Sequence, residues 1–518
     1  MEGALKNLPI GIQDFEKLRN GDYLYVDKTA LVYQLVSTGS YYFLSRPRRF
    51  GKSMLISTLH AYFSGRKELF EGLAIEKLEK NWTQYPVFHL DLNTDEYRTE
   101  NALHNKLSAH LAEWESLYER KEYEKSLGAR FEGIIRRAYE KTGQRVVILV
   151  DEYDKPVLQA IDNEQLQDDY RSTLKGFYGA LKSMDRYIKF AFLTGVTKFG
   201  KVSIFSDLNN LEDISLDKEY VGICGITDEE IDTALVPYVS RLADELEVSV
   251  PDVREELRRR YDGYHFSRKS VGIYNPFSLL NTFKKNEFQN YWFETGTPSY
   301  LVYLLKKHNY NLEEMATSVV GESVLNSIDS QSSNPIPVIY QSGYLTIVDY
   351  NQRFKTYTLG FPNDEVEEGF MNFLLPYYTP LRPSESDFSI QKFVSDVEAG
   401  RIDDFMRRLS SLFADTPYEL VKDLENHYQN VIFIVSKLMG FYVRAEYHTS
   451  QGRIDLLLRT ATHTYVMEFK LDGTAEEALA QINDKNYALP FECDDRRTVK
   501  IGVNFSRETR NIEKWVVE

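Results

Sequence analysis

Between residues 23 and 222, short and mostly apolar runs alternate with stretches in which apolar residues recur every three or four positions. The runs at 41–44, 87–92, 146–150 and 188–193 are short enough for strands buried on both faces. Stretches such as 103–119 and 131–141 carry helical spacing. This alternation predicts a parallel α/β sheet covered by helices. From 227 to about 383 the spacing becomes mostly helical, with one strand–turn–strand signal: 343–349, then Asn351-Gln-Arg, then 355–359. Helices ending in a small hairpin predict a winged-helix-like lid or linker. The segment 380–387, with two prolines and several polar turn formers, marks a boundary. Three regions follow: 1–225, 226–383 and 384–518.

Composition narrows the class. A chain of 518 residues exceeds one hydrophobic core, and 42% hydrophobic with 27% charged residues is an ordinary globular content. The two cysteines, Cys224 and Cys493, have no partner spacing, so neither a disulfide framework nor a zinc site is expected, and a reducing cytoplasm is. The N-terminal residues lack a charged head followed by a long apolar run. The longest aliphatic runs, 146–150 and 431–435, cannot span a bilayer, so a soluble protein without a membrane partner is expected. The net charge of −16 argues against wholesale coating of a nucleic acid. That charge is uneven. From Leu420 onward, 13 Lys and Arg face 15 Asp and Glu, a balance of −2, which leaves −14 for the rest. A local groove for nucleic acid near the C-terminus stays open.

The first chemical motif is Arg46-Pro-Arg48-Arg49-Phe50-Gly51-Lys52-Ser53, which occupies the frame GxxxxGK[ST] with Arg46 at the first glycine. It lies between the strand at 41–44 and a helical run at 54–63. In that context backbone N–H groups of the loop face phosphates at a helix N-terminus. Gly51 permits close approach, Lys52 neutralises the β- and γ-phosphates, and Ser53 ligates Mg²⁺. Loss of the first glycine is expected to distort the tight turn. A basic surface turn opening a helix is the plain alternative. The second motif is the apolar strand at 146–150 ending in Asp151 and Glu152. In a P-loop ATPase the first acid serves the magnesium shell and the second polarises water. Buried strands also end in acids without any such role, but the order of motifs fits the additional-strand class. Thr194, at the end of the next strand, is the expected sensor of the γ-phosphate. Arg258, Arg259 and Arg260 read as a solvated helix end rather than an arginine finger.

Near the C-terminus, Gly452-Arg-Ile-Asp455 is followed after twelve residues by Glu468-Phe-Lys470. The two strands predict a hairpin turning at 460–464. Alternation puts Glu468 and Lys470 on one face, with Phe469 buried opposite. Asp455 arrives from the neighbouring strand, so two carboxylates and an amine converge. Hard oxygen donors suit Mg²⁺ or Mn²⁺. An amphipathic hairpin with solvated charges is the plain alternative. His448 and His463 read as surface loop residues.

Together Asp27-Lys-Thr, the Arg46–Ser53 octet, Asp151-Glu-Tyr-Asp-Lys-Pro, Phe205-Ser-Asp-Leu-Asn-Asn-Leu, Tyr261-Asp-Gly-Tyr-His-Phe and Tyr274-Asn-Pro-Phe-Ser resemble the bacterial AAA-ATPase-like family. Members of that family commonly carry a C-terminal PD-(D/E)XK nuclease-superfamily domain, and the spacing of Asp455, Glu468 and Lys470 is similar to its core. The resemblance implies an additional-strand P-loop ATPase domain, a middle lid and a restriction-endonuclease-like α/β domain. It implies Glu425 as a further metal ligand on the first helix of that domain, with Gln481 and Tyr487 facing the active site. ATP, Mg²⁺ or Mn²⁺, and DNA or RNA are the implied cofactors and partners, with a homo-oligomer left open. The leading expectation is an ATP-regulated, metal-dependent nuclease. The alternatives are a signalling ATPase whose C-terminal fold only binds nucleic acid or a partner, and a scaffold with two relic sites.

Overall fold

The computed structural model describes residues 5–518 apart from 199–203, 206–207, 295–300, 302–304, 306–309, 327–333, 383–384, 415–423, 441, 443, 448–454 and 492–494. The chain divides into two compact units. Met1–Thr295 with Ser318–Asn363 form the first, and Gly296–Thr317 with Asp364–Glu518 form the second. The middle region 226–383 is thus shared between them.

The first unit is built on five parallel strands: β1 (Tyr41–Ser45), β2 (Val87–Asp91), β3 (Val146–Asp151), β4 (Ile188–Gly195) and β5 (Glu212–Asp213). They are ordered β2-β3-β4-β1-β5. β2 intervenes in sequence between β1 and β3, but in the sheet β4 lies between them and β2 takes the edge. The loop after β1 and the acids closing β3 therefore flank the C-terminal end of β4. Open parallel sheets place ligands at that end of their strands. Every residue of β1 and β3 is buried, as helices on both faces require. The helices Ala102–Tyr118 and Leu127–Thr142 cover one side, where the rings of Phe131 and Phe177 stack at 4.7 Å. Strand β5 has only two residues and carries no periodic signal.

The same unit continues through short helices around Leu242, Leu257 and Phe283, joined by the paired strands β6 (Ile226–Thr227) and β7 (Ile273–Tyr274). Two recurrent-looking motifs serve this packing. Gly263 has φ +93°, and a Cβ there would lie 2.0 Å from the Pro362 carbonyl oxygen, so only glycine fits. Asn275 is buried and caps the helix Pro276–Lys285 by accepting from the Phe277 and Ser278 amides. A small sheet then forms from β8 (Val319–Gly321), β9 (Thr346–Asn351) and β10 (Thr356–Gly360), ordered β8-β10-β9. The hairpin predicted from the sequence is β9–β10; β8 was not legible.

The second unit holds β11 (Arg444–Tyr447), β12 (Leu456–Arg459), β13 (His463–Leu471), β14 (Arg497–Ser506) and β15 (Asn511–Val517) in sequential order. Only β13 and β14 run parallel, and the helix Ala475–Asp484 crosses between them. The expected boundary at 380–387 falls inside this unit, between the helices Asp364–Tyr378 and Ser386–Glu398. Its first helix belongs with the helix Leu424–Met439, to which Glu367 and Lys437 tie it at 2.7 Å. Among the described residues no helix is long and apolar enough to cross a membrane.

Candidate functional sites

The loop after β1 departs from the expected distortion. Arg46 needs no left-handed backbone; those conformations fall on Arg49 (φ +67°) and Gly51 (φ +96°). A Cβ on Gly51 would meet nothing within 4 Å, so that glycine is required by conformation rather than by space. Arg46 is 1% exposed, and its guanidinium donates to the carbonyls of Ser45 (2.9 Å), Ser215 (2.8 Å) and Tyr220 (3.4 Å). It also lies 4.1 Å over the Phe266 ring. Burial lowers its pKa to about 10, which leaves it a cation at neutral pH. The expectation that this side chain serves the nucleotide is corrected: it is buried on carbonyls of its own unit and anchors the loop. Phe50 is likewise core, edge-on to Tyr264 and Phe266. Arg48 and Arg49 remain exposed, the latter 4.9 Å over the Phe277 ring.

Gly51 opens the helix Lys52–Phe63, with Ser53 half-buried in its first turn. The Lys52 ammonium is buried and donates to the loop carbonyls of Arg46 (3.0 Å) and Pro47 (3.2 Å). Its other neighbour is Glu152 at 3.8 Å. Asp151 closes β3 and accepts the Thr194 hydroxyl at 2.7 Å. Thr194 thus holds the first acid in place. Glu152 sits at φ +57°, a strained conformation for a non-glycine residue. Burial pushes its carboxyl up, and Lys52 opposes that shift.

Asp154 was missed by sequence reasoning. It is fully buried and accepts from the Val196 amide (3.2 Å), the Thr197 amide (2.6 Å) and the Thr197 hydroxyl (2.7 Å). The turn after β3 therefore clamps the loop after β4, with the Tyr153 hydroxyl on the Thr197 carbonyl as a second tie. A lysine, a serine, two acids and a helix N-terminus around one strand end are the parts that hold a magnesium–triphosphate group. Arg254 and Arg258 pair with Asp228, and Arg259 and Arg260 with Glu256, a set of helix-end ion pairs.

In the second unit the ladder Leu456–Met467 brings Asp455 opposite Glu468. The Phe469 amide donates to Asp455 Oδ2 at 2.9 Å, which aims that carboxylate across the hairpin. Phe469 itself is half-buried rather than buried. Glu468 is 3% exposed. Its Oε1 accepts from the Gln481 amide and lies 3.8 Å from the Lys470 ammonium, which in turn donates to Gln481 Oε1. Glu468 Oε2 is buried and has no hydrogen-bond partner. Burial, with Asp455 adding to it, pushes the Glu468 carboxyl up to about 8. Burial likewise raises Asp455 to about 6. Two facing carboxylates, one with an orphaned oxygen, are a donor set that fits a hard divalent cation.

The implied third ligand does not join them. Glu425 is exposed on the first turn of the helix Leu424–Met439, and no three His, Cys, Asp or Glu side chains gather for a metal among the described residues. His463 stacks on Tyr465 and meets the Thr462 hydroxyl, away from a ligand role. Gly452, Arg453, His448 and Cys493 lie outside the described residues. Tyr487 is 8% exposed, with its hydroxyl buried beyond the end of the helix Ala475–Asp484.

Gly502 is a second residue that sequence reasoning missed. It pairs with Glu468 across β13 and β14, and a Cβ there would lie 2.1 Å from the Ala475 carbonyl. Its missing side chain lets the Thr474-capped helix lie close enough for Gln481 to reach Glu468. Glycine inside a strand pattern is the signal that marks it. Gly502→Ala is expected to push that helix outward and, on the nuclease reading proposed below, to cut metal-dependent cleavage roughly 10–100-fold, the usual cost of losing an outer-shell partner. Steady-state cleavage rates against those of Gln481→Ala check it, because the two substitutions should produce similar losses.

Comparison with known proteins now decides the family. A family described as predicted AAA-ATPase matches residues 9–205, and the PD-(D/E)XK nuclease superfamily matches residues 423–515. A protein of Azotobacter chroococcum mcd 1, described as an uncharacterized protein in the vnfD 5′ region, is 36% identical over 525 residues, covering 99% of each chain. The chain belongs to the AAA-ATPase-like family. Its C-terminal region is a PD-(D/E)XK superfamily domain. The Aeropyrum pernix ORC2 protein, solved in ADPNP–ADP complexes, aligns at 10% identity and a TM-score of 0.23, covering 70% of this chain and 92% of its own. At that score the likeness carries no functional argument. As an AAA-ATPase-like protein, the chain places its family motifs at the strand ends where the fold puts ligands.

Proposed function

We propose that this AAA-ATPase-like protein is a cytoplasmic nuclease that hydrolyses DNA or RNA with Mg²⁺ or Mn²⁺ and is regulated by ATP. The observation that carries the reading is Glu468 Oε2, a buried carboxylate oxygen without a partner, facing Asp455 beside the Lys470–Gln481–Glu468 chain. Burying a carboxylate oxygen without a partner is costly unless something positive completes it. Asp455 and Glu468 would hold the divalent ion, which supplies Lewis acidity and an activated water. Lys470 is held by Gln481 where it can position a water or meet charge on a phosphate oxygen. In the first unit Lys52, Ser53 and Asp151 would hold the magnesium nucleotide and Glu152 would polarise the attacking water, with Thr194 orienting Asp151.

The test is a cleavage panel of single- and double-stranded DNA and RNA with Mn²⁺, with and without ATP. Wild type should cleave at least one substrate at a rate that ATP changes severalfold, and Lys52→Ala should cleave at a rate indifferent to ATP. Cleavage that ATP never alters would remove the regulatory half of the reading. A second reading, a switch ATPase whose C-terminal domain only binds nucleic acid or a partner, is favoured by one fact. Glu425 does not join the other two carboxylates. It predicts ATP turnover with cleavage at background.

A further inference from the structure

We infer that the β9–β10 hairpin of the first unit docks single-stranded nucleic acid, an inference that rests on nucleic acid being the substrate class. The hairpin is anchored on one side and bare on the other. Leu345, Ile347, Tyr357 and Leu359 are buried at 1–2% exposure, and the Thr346 hydroxyl accepts from the His265 amide. At the tip, Phe354 is 66% exposed, between Arg353 and Lys355 in sequence. The turn is not slack: Asn351 Oδ1 accepts from the amides of Arg353 (3.1 Å) and Phe354 (3.2 Å). The Phe354 ring is therefore presented by a fixed backbone, with the Arg353 guanidinium 5.1 Å from its centroid.

The cationic character extends down the hairpin. Arg268 lies 4.8 Å over the Tyr350 ring and donates to the Tyr357 hydroxyl at 2.9 Å; Lys269 follows it and is exposed. Two carboxylates offset part of that charge. Glu322 pairs with Arg268 at 2.9 Å, and Asp349 accepts the Tyr350 amide at 2.8 Å. In a chain of net charge −16, an exposed aromatic ring between Arg353 and Lys355, on a hairpin that also carries Arg268 against Tyr350 and Tyr357, is a local exception. One ring with a cationic rim is complementary to an unstacked base and its phosphates. The exposed large apolar side chains of this small sheet are Val319, Val348 and Phe354, few for a protein interface, which needs many contacting residues on each side. A duplex keeps its bases stacked and offers the ring nothing, which is why a single strand is the occupant.

Binding of a labelled oligothymidylate to the full-length protein in EDTA, read by fluorescence anisotropy, separates this claim from cleavage. Phe354→Ala should weaken binding about tenfold, and Phe354→Trp should restore it. Arg353→Glu with Lys355→Glu should weaken binding further and flatten its salt dependence. Duplex binding and basal ATP turnover should not change. Anisotropy for Phe354→Ala within twofold of wild type overturns the inference, as does a change in sedimentation in place of the loss, which would mark a second copy as the occupant. If wild type binds through Phe354 yet never cleaves, the nuclease reading fails and this one stands. If cleavage is normal and Phe354→Ala binds normally, only this one fails.

Discussion

Glu468→Gln is expected to lower metal-dependent cleavage on the order of 10³-fold while making the metal-free protein more stable at pH 8. Loss of activity follows from removing one of the two carboxylates that face each other across β12 and β13. The gain in stability follows from the proton balance. The folded-state carboxyl of Glu468 is raised to about 8, above the ordinary glutamate value of 4.5. Between those two values the unfolded chain has already ionised this group while the folded protein still holds the proton. Stability of the metal-free protein therefore falls as pH rises from about 4.5 through about 8, and the full penalty stands above that. Glutamine never ionises, so the variant escapes the penalty. Its melting temperature at pH 8 should exceed that of wild type by about 2–4 °C, and the difference should vanish near pH 4. Adding Mn²⁺ should raise the melting temperature of wild type increasingly from pH 6 to pH 8 and leave the variant nearly unmoved. A variant less stable than wild type at pH 8 would show that the carboxylate is not under that strain.

Lys52→Ala and Glu152→Gln should fail in different ways. The Lys52 ammonium is held by two carbonyls of its own loop and lies 3.8 Å from Glu152. A triphosphate offers that ammonium charged oxygens in their place, so removing it should weaken ATP binding about 100-fold, a loss of roughly 2.7 kcal/mol. Glu152 makes no such contribution to the phosphates, and burial already pushes its carboxyl up. Glu152→Gln should bind ATP within a few-fold of wild type and lose turnover by 10²-fold or more, on the order of a missing catalytic base. Equilibrium binding of a fluorescent ATP analogue, set beside phosphate release, separates the two. Equal losses of binding in both variants would place Glu152 in the phosphate cradle instead.

The strands of the ATPase sheet were readable because parallel strands buried on both faces leave continuous apolar runs, as at 146–150. Sheet order was not readable, since the pairing of β4 between β1 and β3 joins residues far apart in sequence. Strand β5 was invisible because two residues have no period. At the sites, residue types were legible and directions were not. Arg46 stands in the frame of a phosphate loop, yet its side chain turns inward, because the carbonyls of Ser215 and Tyr220 that receive it come from a distant segment. Thr194 was legible as the polar residue at the end of its strand, but its hydrogen bond to Asp151 was not, because that acid comes from another strand. Asp455, Glu468 and Lys470 were legible as a set because strand alternation governs them, whereas Gln481 entered only through the family resemblance. Glu425 shows the limit: a motif position on a helix does not say which way its carboxylate faces.

Calorimetric titration of the metal-free protein with Mn²⁺ at pH 7, in two buffers of different ionisation enthalpy, tests the paired carboxylates most directly. With Glu468 still mostly protonated and Asp455 mostly ionised, binding should release about one proton per ion, falling towards zero near pH 9. Neither the heat nor the proton release should survive in Glu468→Gln. Binding that is absent in wild type, or that persists unchanged in the variant, would contradict a metal site built on Asp455 and Glu468.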